Sequence, residues 1–421
     1  MKHMHLFSII IISLIVGFTL EISFAAPKPK PQLVAEIKGT DLPGNFVDAL
    51  PEGFDISPDG SQVAAVFETE DKKVPKTFGI WIAIWDLSSK RLLNKLEIEG
   101  PLTLEQLAIP GAKRDLRYTP SGDAIVVQTG LALFIIRTGG FANMLSVKPM
   151  SLPTTSRNWT FIERFEISGD GRWLAALTGT GADSRSIAGV QLINLSDGKV
   201  AAEWSIRDSP SSIALSPNGS QILLSGLGDA GAELGEIRLV DAQTGKILRS
   251  FKSGCVYLAA CGASDARFWG EGRIVIVPKA ATDAHGNSLA TDMKTFDANS
   301  GQLIRELKRQ RFQSMGKLTI AANAPIVLTI SASETSEEII GEQWFHRSKP
   351  ELVAFNLDDG DSRTVIRPVG HGQAGNTVDQ YSLRISHDGS LVAFFQDKVI
   401  KIYRLSSSDL PLKRKTSENC Q

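Results

Sequence analysis

The stretch from Ile213 to Phe251 decides the fold. It reads Ile-Ala-Leu-Ser-Pro-Asn-Gly-Ser-Gln-Ile-Leu-Leu-Ser, then a small-residue insertion from Gly226 to Gly235. It ends Glu-Ile-Arg-Leu-Val-Asp-Ala-Gln-Thr-Gly-Lys-Ile-Leu-Arg-Ser-Phe. Apolar residues alternate or cluster in short runs. Each run stops at a turn signal: Ser216-Pro217-Asn218-Gly219, the insertion, and Gln243-Thr244-Gly245. Short aliphatic runs bounded by such turns are strands joined by hairpins, four of them in this unit.

The same turn recurs along the chain. Copies are Ser57-Pro58-Asp59-Gly60, Thr119-Pro120-Ser121-Gly122, Ser168-Gly169-Asp170-Gly171 and Ser386-His387-Asp388-Gly389, with worn versions at Trp269-Gly270-Glu271-Gly272 and Ala321-Ala322-Asn323-Ala324. Proline presets φ, Asp or Asn tolerates the left-handed region, and glycine reverses the chain without steric cost. A short strand precedes each turn (Phe54–Ile56, Leu383–Ile385) and an apolar strand follows it (Val63–Phe67, Ala124–Gln128, Leu391–Phe395). A third strand ends in a polar turn, as in Ile82-Ala83-Ile84-Trp85-Asp86, and an outer strand such as Leu92–Ile98 completes the unit. Seven such units predict an all-β chain, a seven-bladed β-propeller of four-stranded antiparallel blades. The seventh unit lacks an outer strand, whereas Leu33–Ile37 is a strand without a unit. The reading pairs Leu33–Ile37 beside Val399–Leu405, which closes the ring and removes its open edges.

The 421 residues are 42% hydrophobic, enough for a large core, and 45 basic residues nearly cancel 46 acidic ones. With no basic stripe and only scattered aromatics, nucleic acid is excluded as the expected partner. Residues 1–25 read as a signal peptide: Lys2, an apolar run from Leu6 to Leu20, and Ser23-Phe24-Ala25 before the expected cleavage at Ala26. That run is short for a membrane span, which needs ~20 residues. No later segment reads as a transmembrane helix. Residues 26–32 form a Pro/Lys linker, 33–405 the propeller and 406–421 a disordered tail. The expected location is exported, periplasmic or extracellular in a bacterium.

The repeats resemble those of the WD-repeat-like propeller superfamily, including the TolB-like and YVTN-like propellers of bacterial envelopes. The Ser-Pro-Asp-Gly turn and the aromatic-Asp ending of the third strand carry the likeness over residues 33–405. Trp85-Asp86 is the only literal Trp-Asp pair, and the buried Asp-His-Ser-Trp network of eukaryotic members does not repeat here. In such a propeller the Ser-Pro-Asp-Gly turns share one face. The second-to-third-strand connections and the inter-blade connections share the other. Chain length is concentrated on that second face: Thr69–Thr77, Gly179–Gly189, Gly226–Gly235, Ala280–Asp292 and Ser333–Pro350, with inter-blade loops such as Gly100–Arg114 and Arg367–Gln380. Long loops on a rigid scaffold are the expected binding surface.

Cys255 and Cys261 are the candidate disulfide, pinning one inter-blade loop, and Cys420 is left over. His285, His346, His371 and His387 lack metal-ligand spacing even beside Asp283, Asp292, Glu342 and Asp379, so no metal site is assigned. Nucleophile elbow, Walker loop and dinucleotide fingerprint are all missing. Asp241–Lys246 and Asp297–Gln302 are similar to repeats of quinoprotein dehydrogenases, without their Trp or Cys pair, and read as plain hairpin turns. No catalytic residue or cofactor is assigned. The leading reading is a non-catalytic exported propeller, monomeric or part of an envelope complex, whose long-loop face binds a protein, peptide or glycan. The alternative is an envelope enzyme of lactonase or quinone-dependent dehydrogenase type, using carboxylates at the channel mouth.

Overall fold

The computed structural model describes residues 31–38, 50–70, 77–103, 114–139, 144–152, 160–180, 187–206, 210, 212–225, 236–252, 263–270, 272–278, 281–282, 288–289, 293–307, 314–321, 325–340, 343–366, 383–396, 399–406 and 409–411. Seven four-stranded antiparallel sheets form the blades, and their first strands pack against one another in a ring.

Blade 1 runs Leu50–Ile56, Gln62–Glu70, Thr77–Asp86, Leu92–Thr103. Blade 2 runs Asp115–Tyr118, Ala124–Gln128, Leu133–Arg137, Met144–Val147. Blade 3 runs Thr160–Ile167, Trp173–Thr180, Ala188–Asn194, Val200–Ile206. Blade 4 runs Ser212–Leu215, Gln221–Ser225, Glu236–Asp241, Ile247–Lys252. Blade 5 runs Ala263–Trp269, Arg273–Pro278, Met293–Asp297, Leu303–Leu307. Blade 6 runs Ser314–Ile320, Ile326–Ile340, Gln343–Asn356, Ser362–Ile366. Blade 7 runs Leu383–Ile385, Leu391–Gln396, Val399–Arg404, and its outer strand is Gln32–Lys38. The expected closure is therefore present: Leu33 pairs with Tyr403, Ala35 with Ile402 and Ile37 with Ile400.

The apolar runs of the second strands follow from burial on both faces. In blade 1, Val63, Ala65 and Phe67 join a cluster with Leu391, Ala393, Ile400 and Ile402 of blade 7. The intervening Ala64 and Val66 join Leu116, Ile125 and Val127 of blade 2. Successive strand residues point to opposite faces, so a sheet between two neighbours is apolar at nearly every position. Seven such clusters fill the seven blade–blade interfaces.

The turns explain themselves locally. The Ser57 hydroxyl accepts the N–H of Gln62 at 2.8 Å and donates to Asp59 at 2.6 Å, while Asp59 accepts the N–H of Ser61. Ser168, Ser216 and Ser386 repeat this arrangement. Gly219 sits at φ 75° with Trp173 Cδ1 only 2.3 Å from where a Cβ would stand, so both conformation and space require glycine. At the third-strand turns, Asp86, Asn194, Asp241, Asp297 and Asn356 accept backbone N–H groups two or three residues on. The two sets of turns then bond to each other, as Leu87 N–H does to Ser61 O and Ala242 N–H to Ser220 O, which places them on one face.

Two features go beyond the sequence reading. The expected insertion Ser333–Pro350 is a continuation of two blade 6 strands as a ribbon, paired out to Ile340 opposite Gln343. Part of Ala280–Asp292 likewise forms a small ribbon, Ala281–Thr282 against Ser288–Leu289. In addition, packed chain continues past residue 405. Leu410 is buried in the cluster between blades 6 and 7, and Asn356 Nδ2 donates to Pro411 O at 2.8 Å.

Closure can be tested on Ile37, which is 4% exposed. Ile37→Asp places a carboxylate in the blade 7–blade 1 cluster and is expected to cost at least about 4 kcal/mol, read as a lowered urea midpoint. Glu36→Gln, on the opposite side of the same strand, should leave the midpoint unmoved.

Candidate functional site in the central channel

The first strands bring one residue per blade to a shared level, five positions before the residue that ends each turn: Asp55, Arg117, Glu166, Ala214, Arg267, Thr319 and Arg384. Two residues earlier in the chain stand Asp115, Arg164, Ser212 and Asp265 in blades 2 to 5. Four carboxylates thus face four guanidiniums.

Their contacts locate them. Arg384 of blade 7 donates to Asp115 of blade 2 at 2.6 Å, passing blade 1, and lies 4.0 Å from Asp55 of blade 1. Arg267 of blade 5 donates to Glu166 of blade 3, passing blade 4. Side chains of non-adjacent blades can meet only across the axis, so this is the channel. The chain of contacts continues. Arg117 lies 3.5 Å from Asp115 and 3.8 Å from Glu166. Arg267 Nε donates to Asp265 at 3.2 Å, and Asp265 accepts the Ser212 hydroxyl of blade 4 at 2.9 Å and the Leu318 N–H of blade 6 at 3.1 Å. One continuous polar network therefore touches all seven blades. Nearer the opposite face, Arg114 of blade 2 binds Glu52 and Glu68 of blade 1 at 3.0 and 2.8 Å.

Burial sets the protonation of these groups. Asp55 is pushed up to about 6 by desolvation, against the pull of Arg384 and Arg117 and the N–H of Tyr118, which it accepts at 2.9 Å. Burial acts on Asp265 too, yet Arg267, Arg164, the Leu318 N–H and the Ser212 hydroxyl together hold it below the usual carboxylate range. Arg384 is lowered by burial and by Arg117, whereas Asp115, Glu166 and Asp55 outweigh burial at Arg117 and raise it. Burying matched charges adds little net stability, because desolvation offsets attraction, but removing one partner strands the other. The network fixes how the blades are set around the axis.

Cys255 and Cys261 lie outside the described residues, as do His285, His371, Asp283, Asp292, Glu342 and Asp379. His346 is on the third strand of blade 6 and His387 in the blade 7 turn. Among the described residues, no group of three or more His, Cys, Asp or Glu could hold a metal ion. Asp241 and Asp297, the quinoprotein-like positions, cap their own turns. A cleft of about 410 Å³ opens on the turn face between blades 1 and 2, lined by Ser57, Asp59, Gln62, Tyr118 and Ser121 among others. The members of the channel network belong to no local motif. The signal that finds them is a charged residue five positions before the end of the turn in five of the seven blades.

No protein-family model matches the chain, and no curated protein matches it by sequence. Solved structures do. A chain of the mitotic checkpoint complex matches at a TM-score of 0.55 and 10% identity, covering 91% of this chain and 98% of that one. Hydrazine synthase of Kuenenia stuttgartiensis matches at 0.51 and 11%, covering 87% and 99%. At these identities the likeness is one of fold alone, and the fold is that of a seven-bladed β-propeller.

Asp55 supplies a pH test. Its folded-state pKa lies above the ordinary 3.8, so its contribution to stability is fully present below pH 3.8 and lost as pH rises through about 6. That difference corresponds to about 3 kcal/mol. Unfolding free energies of the wild type and Asp55→Asn, measured from pH 3.5 to pH 7.5, are expected to diverge by that amount, the wild type losing ground toward neutral pH. A constant gap would mean that Asp55 titrates as an ordinary carboxylate.

Proposed function

We propose that this chain is an exported, non-catalytic scaffold that holds a protein partner on the face opposite the Ser-Pro-Asp-Gly turns. Residues 1–25 act as a cleaved leader, 26–32 as a spacer, and the bacterial envelope is where it works. The observation that supports this reading is the asymmetry between faces. On the turn face, connections are short and their polar groups are bonded to one another. The longer connections, including those between residues 70 and 77, 180 and 187, and 225 and 236, leave from the other face, as does the ribbon of blade 6. A rigid ring with its variable length on one side suits recognition. The neighbour solved as part of the mitotic checkpoint complex is in keeping with such a scaffold role. Peptide or glycan ligands would use the same surface.

A second reading, an envelope enzyme working at the channel, is favoured by Asp55 alone, whose carboxyl near 6 has the range of a general acid or base. The two readings separate experimentally. Shortening the connections at 71–76 and 181–186 is expected to abolish capture of the partner from envelope extract. Ser88→Ala, Ser196→Ala and Thr244→Ala on the turn face should leave capture intact. The enzyme reading instead requires a turnover that Asp55→Asn removes while capture persists.

A further inference from the structure

We infer that Arg117 and Arg384 hold one small singly charged anion against Asp55 inside the channel, a halide or the carboxylate of a small organic acid. The inference concerns the axis, and the scaffold reading above plays no part in it. The two guanidiniums come from blades 2 and 7 and converge on opposite oxygens of one carboxylate. Arg384 Nη2 donates to Asp115 Oδ1 at 2.6 Å, and Arg117 Nε lies 3.5 Å from Asp115 Oδ2 without a hydrogen bond there. Arg384 is the more enclosed, with 9% of its side chain exposed, and its Nε stands 4.0 Å from Asp55 Oδ1, beyond hydrogen-bond reach. Both Nε atoms are shielded from solvent, and neither has a hydrogen-bond partner.

A buried donor left unpaired is costly, and more so on a charged group. Here two such donors belong to neighbouring cations that repel each other: after burial, Arg117 is the main cause that lowers Arg384. The carboxylates beside them are shared. Asp115 serves both guanidiniums, and Glu166, 3.8 Å from Arg117, is bonded to Arg267. An anion set against the two Nε–H groups satisfies them and screens the repulsion. Asp55 makes this site responsive to pH. The charged and titratable groups around it are Glu52 and Glu68 of blade 1, Arg114, Asp115, Arg117 and Tyr118 of blade 2, and Arg384 of blade 7. Burial keeps the Asp55 carboxyl protonated up to about pH 6. As an acid it offers an O–H to the anion; as a carboxylate it competes with the anion for the guanidiniums. Binding therefore weakens as pH rises through about 6.

The test titrates bromide and formate separately into the full chain by calorimetry, at pH 5.0 and 7.5, with ionic strength held constant by a bulky sulfonate salt. Crystals grown with bromide at pH 5.0 then locate the ion by its anomalous scattering. Expected are one site per chain, a bromide peak beside Arg384 Nε, and binding at least tenfold weaker at pH 7.5. Formate matching bromide assigns the carboxylate of an organic acid, and bromide alone assigns a halide. Asp55→Asn, neutral at every pH, should bind equally well at both. Arg384→Lys and Arg117→Lys keep the charge but lose the Nε–H, and each should cut affinity at least tenfold. Arg172→Lys on the turn face and Glu68→Gln should change neither affinity nor its pH dependence. No saturable heat, a bromide peak only on the surface, equal wild-type affinity at both pH values, or affinity unmoved by the lysine variants would overturn the inference. Should a lysine variant fail to fold, the bromide peak and Asp55→Asn still decide it.

Discussion

A four-stranded sheet with two apolar faces cannot stand alone in water, and that constraint governs the molecule. Val63, Ala65 and Phe67 need blade 7, and Ala64 and Val66 need blade 2, so every blade is stable only between two others. An open row would end in two exposed apolar faces. The ring must therefore close, and it closes noncovalently at Gln32–Lys38 on Val399–Arg404, where residues far apart in the chain are joined by main-chain pairing and by Ala35 and Ile37. Buried chain around Leu410 adds a second tie, between blades 6 and 7.

Apolar packing holds blades together but says little about how many should gather or at what angle. The channel supplies that specificity. Arg384 must meet Asp115 across blade 1, and Arg267 must meet Glu166 across blade 4. Either meeting fails if the ring gains or loses a blade. Within this network four carboxylates match four guanidiniums, so its charges balance. The exception in protonation is Asp55: it meets Arg384 at 4.0 Å rather than by a short hydrogen bond, so burial outweighs attraction there.

The ring was legible because its signals are local. Ser57 and Asp59 are written into the sequence by the hydrogen bonds they make within five residues, and Leu33–Ile37 stood out as a strand without a blade. The channel was less legible for the opposite reason. Asp115 and Arg384 are 269 positions apart, and nothing near either names the other; only alignment of the seven turns sets Arg384 level with Arg117 and Asp115 two residues before it. The ribbon was missed because Glu334 to Lys349 mixes charges with Ile and Trp, a composition that reads as loop until the register of the neighbouring strands extends it.

These parts divide the molecule by physical role. On the turn face, hydroxyls and carboxylates are consumed by their own backbone, as at Asp86 with Ser88 and Ser89, whose bonds pull that exposed carboxyl down to about 2. A group so engaged must break good bonds before it can make new ones, which weakens it as a recognition element. At the other end of the same strands the connections range from the tight Thr129–Ala132 turn of blade 2 to the ten residues between Ser225 and Glu236, so length varies there while the seven interface cores stay the same. That difference between the two ends of the strands is the structural ground for proposing recognition on the long-loop side.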